Sequence, residues 1–138
     1  MKKRSLAREF VLQILYQIDI CNQSSADALE NFWQSKLEEE IEEEVKQFST
    51  ELVKGVVDNL VAIDEKITQF ATNWQLDRMA FVDRNILRLG VFELIFRPDI
   101  PPKVTINEAV ELAKKFSGVE AGKFVNGILD KIKIEAKK

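Results

Sequence analysis

The chain has 138 residues, 46% hydrophobic and 31% charged, with five Gly, three Pro and a formal net charge of −3. That length and apolar share suit one globular domain, or two small subdomains sharing a core, and exclude a large multidomain enzyme; so little Gly and Pro argues against disorder and against many short strands. The absence of histidine and the single cysteine, Cys21, exclude Ser-His-Asp and Cys-His triads, His-containing zinc sites and an internal disulfide framework.

Helical periodicity dominates from the start. Phe10, Ile14 and Ile18, with Val11 and Leu15 beside them, form a stripe for a first helix that Ser5 is expected to cap and that ends near Cys21-Asn22. The Lys2-Lys3-Arg4 start has the charge of a signal-peptide front. However, the stretch behind it carries Gln13, Gln17 and Asp19 without a small-residue cleavage site, and no apolar run nears the roughly 20 residues of a membrane span, so a cytoplasmic soluble protein is expected. Cys21 reads as a small buried residue at the helix end. Ser25 is expected to cap a short helix through Leu29, Phe32 and Trp33, and the six glutamates of residues 38–44 read as a solvated loop that can also open a helix.

The clearest stripe runs from about 46 to 71, where Leu52, Val53, Val56, Leu60, Ile63, Ile67 and Phe70 share one arc of a single helix of about seven turns. A shorter helix is expected near Asp77 after Trp74, and Asp83 is expected to cap the next, Arg84 to Arg97. That helix is apolar nearly all round, so it lies at the centre of the core or lends a face to a partner. Gly90 in its middle predicts close helix approach, and Glu93 and Arg97 stand four apart in the favourable order. Pro98, Pro101 and Pro102 end it. Thr105-Ile106-Asn107-Glu108 reads as a capping box opening helix 105–117, with Ile106, Ala109, Val110, Ala113 and Phe116 buried. Gly118 stops that helix, and the last, about 120–136, buries Phe124, Val125, Ile128, Leu129 and Ile132. The expected fold is all-α, about seven helices in two small packed bundles, 1–75 and 76–138, within one compact domain.

The net charge conceals a pattern. Residues 1–8 hold four basic groups and no acid, residues 103–138 are net +3, and the stretch between is net −10. Local patches rather than totals set the field felt by a phosphate chain, although Lys-rich ends also serve solubility alone. Carboxylates such as Asp64-Glu65 are accompanied by no Gly-rich phosphate loop and no metal cluster, so no catalytic role, cofactor or metal is expected.

The order of blocks resembles the NusB family of bacterial transcription antitermination factors. The resemblance is carried by Ala7-Arg8-Glu9 with Gln13-Ile14-Leu15-Tyr16, by Trp74 followed by Arg78-Met79, and by Val82-Asp83-Arg84-Asn85-Ile86-Leu87-Arg88 with Phe92-Glu93-Leu94. It continues through Ile100-Pro101, Ile106-Asn107-Glu108-Ala109-Val110-Glu111-Leu112-Ala113-Lys114 and Lys123-Phe124-Val125-Asn126-Gly127-Ile128-Leu129-Asp130. The resemblance implies two three-helix bundles and a non-enzymatic adaptor that binds boxA RNA of nascent ribosomal RNA leaders through a basic N-terminus. It further implies pairing with the ribosomal protein NusE and assembly with other Nus factors on RNA polymerase.

Lys2, Lys3, Arg4 and Arg8 can neutralise phosphates. Lys123 and Gly122 at the head of the last helix offer a second anion site, where Phe124 either stacks on an unpaired base or packs in the core. Glu120 is expected to temper RNA affinity. Tyr16 faces away from its helix's main stripe, as an exposed contact or as cover for a neighbouring helix. Asp83, Phe92, Glu93 and Arg97 are the expected partner contacts. Two alternatives stay open: an RNA-binding domain acting with a separate ribosomal RNA methyltransferase chain, and a purely protein-binding helical adaptor. Self-association into a homodimer is also open. The RNA reading requires that the cationic groups of the two termini meet in space.

Overall fold

A computed structural model describes residues 2–71 and 75–136; Trp74 and the terminal Lys137 and Lys138 lie outside the described residues. Among the described residues there are seven α-helices, one 3-10 turn and no strand. They divide into two compact units, Met1–Asp58 and Asn59–Lys138. No helix of the described residues is long and apolar enough to cross a membrane.

The first unit holds α1 (Lys3–Cys21), α2 (Ser25–Gln34) and α3 (Glu43–Asp58). α1 starts two residues before the expected Ser5 cap, with Lys2 in extended conformation ahead of it, and ends at Asn22 in the left-handed region. Ser24, not Ser25, caps α2: its hydroxyl accepts from the Asp27 N–H at 3.1 Å. Phe10, Phe32 and Trp33 form an aromatic cluster with centroid separations of 5.1 to 5.9 Å. α3 packs on α1 through Val45, Phe48, Leu52, Val53 and Val56, and the buried Ser49 hydroxyl donates to the Val45 carbonyl at 2.7 Å. Cys21 is exposed, contrary to expectation, with its sulfur 3.1 Å from the Gln17 amide. Asn22 turns the chain at the helix end before its side chain reaches cover.

The stripe over 46–71 resolves into two helices, not one. Asn59 sits at φ −117, ψ 20, outside helical geometry, and α4 (Leu60–Phe70) begins after it. Asn competes for backbone hydrogen bonds and favours such breaks, a preference the continuous apolar arc conceals. The expected division near residue 75 is corrected for the same reason: α3 packs with α1 and α2, whereas α4 packs with the helices that follow it.

The second unit holds α4, the 3-10 turn Leu76–Arg78, α5 (Phe81–Phe96), α6 (Pro102–Phe116) and α7 (Val119–Ala136). α5 starts at Phe81, so Asp83 lies in its first turn and is not its cap. Asn85 to Glu93 are buried without interruption, which makes α5 the central helix. A Cβ at Gly90 would lie 2.7 Å from Leu129 Cδ1 and 3.0 Å from Cδ2 on α7, confirming the close approach. Gly90→Ala should therefore destabilise the protein by about 1 kcal/mol: a helix-propensity gain of about 1 kcal/mol is outweighed by overpacking of about 2 kcal/mol against the fully buried Leu129. A thermal melt that is unchanged or raised would contradict this.

α6 begins at Pro102, whose fixed φ suits the first helical turn, so Thr105 is not a cap. It is buried instead and donates to Glu93 Oε1 at 2.9 Å. Phe116, expected in the buried row, is exposed beneath the Lys115 ammonium. Gly118, at φ +135, takes a conformation only glycine adopts readily and lets α7 restart at Val119.

Candidate nucleic-acid interface

In the first unit the basic start is built onto α1. Three of its cations fall in or near the first turn, the positive end of the helix dipole, and that turn contains no acid of its own. Counter-charge comes from the head of α3. The Lys3 ammonium contacts Glu42 Oε2 at 2.8 Å and pairs with the Glu44 carboxylate. Hydrogen bonds that the Lys3 ammonium donates to Glu42 and Glu44, then the charges of those carboxylates, raise its pKa above the usual range, and the hydrogen bond from Lys3 lowers that of Glu44. Arg4 lays its guanidinium 4.3 Å from the Phe48 ring centroid. Lys3, Arg4, Glu44, Gln47, Phe48 and Glu51 line a cleft of about 260 Å³.

Arg8 departs from expectation. It is only 2% exposed, with its guanidinium 5.5 Å from the same Phe48 ring. The spacing of four that aligns Arg8 with Arg4 aligns both on the face that packs against α3, so Arg8 is a packing residue rather than a phosphate contact. Lys2 and Arg4 are exposed, and Tyr16 is partly exposed, as one of its two readings required.

In the second unit a half-open cleft of about 860 Å³ runs between the segment entering α5 and the head of α7. Arg78, Met79 and Asp83 line one side, and Glu120, Lys123 and Phe124 the other. The α7 group thus stands together as expected, with Lys123 exposed and 3.5 Å from Glu120. Phe124 is half-buried, neither fully core nor fully free. Gly122 has a different role from the expected approach to phosphate: a Cβ there would lie 3.1 Å from Lys114 Cγ and 3.6 Å from the Val110 carbonyl oxygen, so it lets α7 seat against α6.

Asp83 belongs to this cleft and is separate from the α5 residues expected beside it. Its Oδ1 is buried without a hydrogen-bond partner among the described residues. Arg78 and Met79 lie outside the site residues that the sequence singles out, because an Arg in a short turn carries no periodic signal.

The expected partner residues are redistributed by burial. Phe92 is buried, and Glu93, 1% exposed, is held by Thr105, so neither presents a side chain for docking. Arg97 forms a two-pronged ion pair with Asp99, at 2.9 Å for both hydrogen bonds. What α5 exposes of its large apolar side chains lies at its ends, Phe81 at the start and Ile95 and Phe96 in the last turn, the Phe96 ring stacked on Phe92 at 5.6 Å. The reason is positional. A helix apolar all round buries its middle first, and its end remains for solvent or a partner.

The family model described as the NusB family matches residues 5–133. The transcription antitermination protein NusB of Anaeromyxobacter dehalogenans strain 2CP-1 is 53% identical over 130 residues, covering 94% of this chain and 89% of the relative. Among solved structures, T. maritima NusB superposes with a TM-score of 0.86 at 38% identity, covering 96% of this chain and 91% of that one. A chain in the crystal structure of antitermination factors NusB and NusE in complex with double-stranded RNA gives 0.84 at 32% identity, covering 98% of each.

Proposed function

The chain belongs to the NusB family, and on that premise we propose that it is a transcription antitermination factor that binds RNA together with NusE and performs no catalysis of its own. The observation that carries this is 53% identity, over nearly the whole chain, to a transcription antitermination protein. The NusB–NusE–RNA neighbour supports both partners. The RNA is boxA-type leader sequence, as the resemblance implies, and the assembly acts in the cytoplasm with other Nus factors on RNA polymerase.

Lys2, Lys3 and Arg4 in the first unit and Lys123 in the second supply the cations; Phe124 and Tyr16 supply aromatic faces for bases. Glu120, 3.5 Å from Lys123, lowers the local positive field and so tempers affinity. NusE docks on the last turn of α5, where Ile95, Phe96 and Arg97 combine exposed apolar area with a charged rim.

The test is a titration of boxA-type RNA with and without NusE across salt concentrations. Binding should be tighter with NusE present, and a single strand should be preferred to a duplex of the same sequence. Lys123→Ala should lower affinity several-fold and reduce the slope of log affinity against log salt by about 0.7, the contribution of one phosphate contact on a single strand. Equal affinity and slope for the variant would remove Lys123 from the interface. Retention on NusE with no RNA binding in any condition would leave a protein-only adaptor.

A further inference from the structure

One of the cations expected to meet RNA is already engaged. Lys3 is gripped by two carboxylates, Glu42 and Glu44, from a run of six glutamates in seven residues. The geometry of this grip is fixed by the fold. The Glu42 carbonyl accepts the N–H groups of Val45 and Lys46 at 3.0 and 3.2 Å, tying Glu42 to the head of α3. α3 in turn packs along α1, with the Ser49 hydroxyl also reaching the Ala7 carbonyl at 3.4 Å. The two carboxylates therefore stand beside the first turn of α1 as a preplaced pair of anions, at the spacing at which phosphate oxygens would approach Lys3.

We propose that Glu42 and Glu44 form an autoinhibitory latch, an acidic mimic of the RNA backbone that occupies Lys3 and must be displaced before phosphate can bind there. The inference rests on the RNA-binding reading above and deepens it. The latch is exposed, so each pair is weak and yields to a ligand that brings several phosphates at once. Its consequence is discrimination: a short or poorly matched polyanion gains too little from one released lysine, whereas an RNA held elsewhere on the protein displaces the carboxylates with little further ordering.

The test compares wild type, E42Q/E44Q and the charge-matched control E38Q/E40Q, which removes two charges from the same run without touching Lys3. Two ligands are titrated at low salt: a single-stranded boxA-type RNA, and inorganic polyphosphate, a polyanion without bases. E42Q/E44Q should bind both about threefold to tenfold more tightly than wild type, and the gain should shrink with added salt. The control should gain less than about twofold, as distant exposed charges do. In a Lys3→Ala background the gain from E42Q/E44Q should fall to the level of the control, the coupling expected of groups in direct contact.

A gain equal to that of the control, or undiminished without Lys3, overturns the latch, as does no gain with either ligand. If the RNA binds neither form while polyphosphate shows the full gain, the RNA reading falls and the latch stands. If RNA binds wild type well and neither ligand gains, the latch falls and the RNA reading stands.

Discussion

Arg88→Ala is expected to lower unfolding stability by about 3 kcal/mol, seen as a reduced urea midpoint at unchanged slope. Arg88 lies in the buried middle of α5 and closes a fork on Asp64 of α4, Nε to Oδ1 at 2.8 Å and Nη2 to Oδ2 at 3.0 Å. Its Nη1 donates to Asn85 Oδ1 at 3.1 Å, and Asn85 itself donates to the Phe81 carbonyl at 2.8 Å. Truncation would leave the fully buried Asn85 oxygen without this donor and the Asp64 carboxylate without its counter-ion. Asp64 keeps about a quarter of its side chain in water, which places the loss at the lower end of the 3–5 kcal/mol typical of broken buried pairs.

Asp64→Ala should cost at least as much, because it strands the guanidinium, the more buried partner and one that stays charged. The double variant R88M/D64L should recover much of the loss, since apolar replacements of similar volume remove both desolvated charges together. A loss below about 1 kcal/mol for Arg88→Ala, with no coupling in the cycle, would show that the fork contributes only surface electrostatics.

Arg88 also shows why parts of the fold were legible in the sequence and parts were not. Periodicity located the helical stretches but ran α3 and α4 together, because burial of an apolar stripe is a one-dimensional signal: Phe10-Ile14, Leu52-Val56 and Ile128-Ile132 all turn inward as their spacing requires. The Gly90 contact was legible for a related reason, since glycine in a helix interior has a cost that only close packing explains. Polar residues carried less information. Thr105 and Glu108 match a capping box, yet Thr105 serves Glu93 across two helices, because Pro102 starts the helix a turn earlier. Asn59 ends a helix inside an unbroken stripe, as a polar residue within an arc that apolar counting treats as continuous.

For the candidate interface, charge points to the two basic segments but not to the state of each cation. Arg4 and Arg8 are the same residue type on the same face and both lie over the Phe48 ring, forty or more residues away, yet Arg4 in the first turn is exposed and Arg8 is buried. The pairing of Lys3 with the glutamate run was hidden for the same reason, being a contact across more than forty positions of sequence.

The second large effect concerns Phe124, whose half-buried position allows both a packing role and a base-stacking role. A stacked base contributes roughly 1–3 kcal/mol, so Phe124→Ala should weaken RNA binding about fivefold or more. That result alone would not separate the two roles, because α7 packs on α6 next to it and truncation can disturb the helix head. Phe124→Leu separates them. Leucine retains most of the apolar volume that faces the protein but offers no aromatic face, so if stacking is the role, F124L keeps the melting temperature of the wild type and loses RNA affinity nearly as far as F124A. If packing is the role, F124L restores both stability and affinity together. The cleft geometry favours the first outcome: Phe124 borders open space alongside the exposed Lys123, so one nucleotide can set its phosphate on the ammonium and its base on the ring. Recovery of wild-type RNA affinity by F124L would remove Phe124 from the interface and leave the cations to carry the binding.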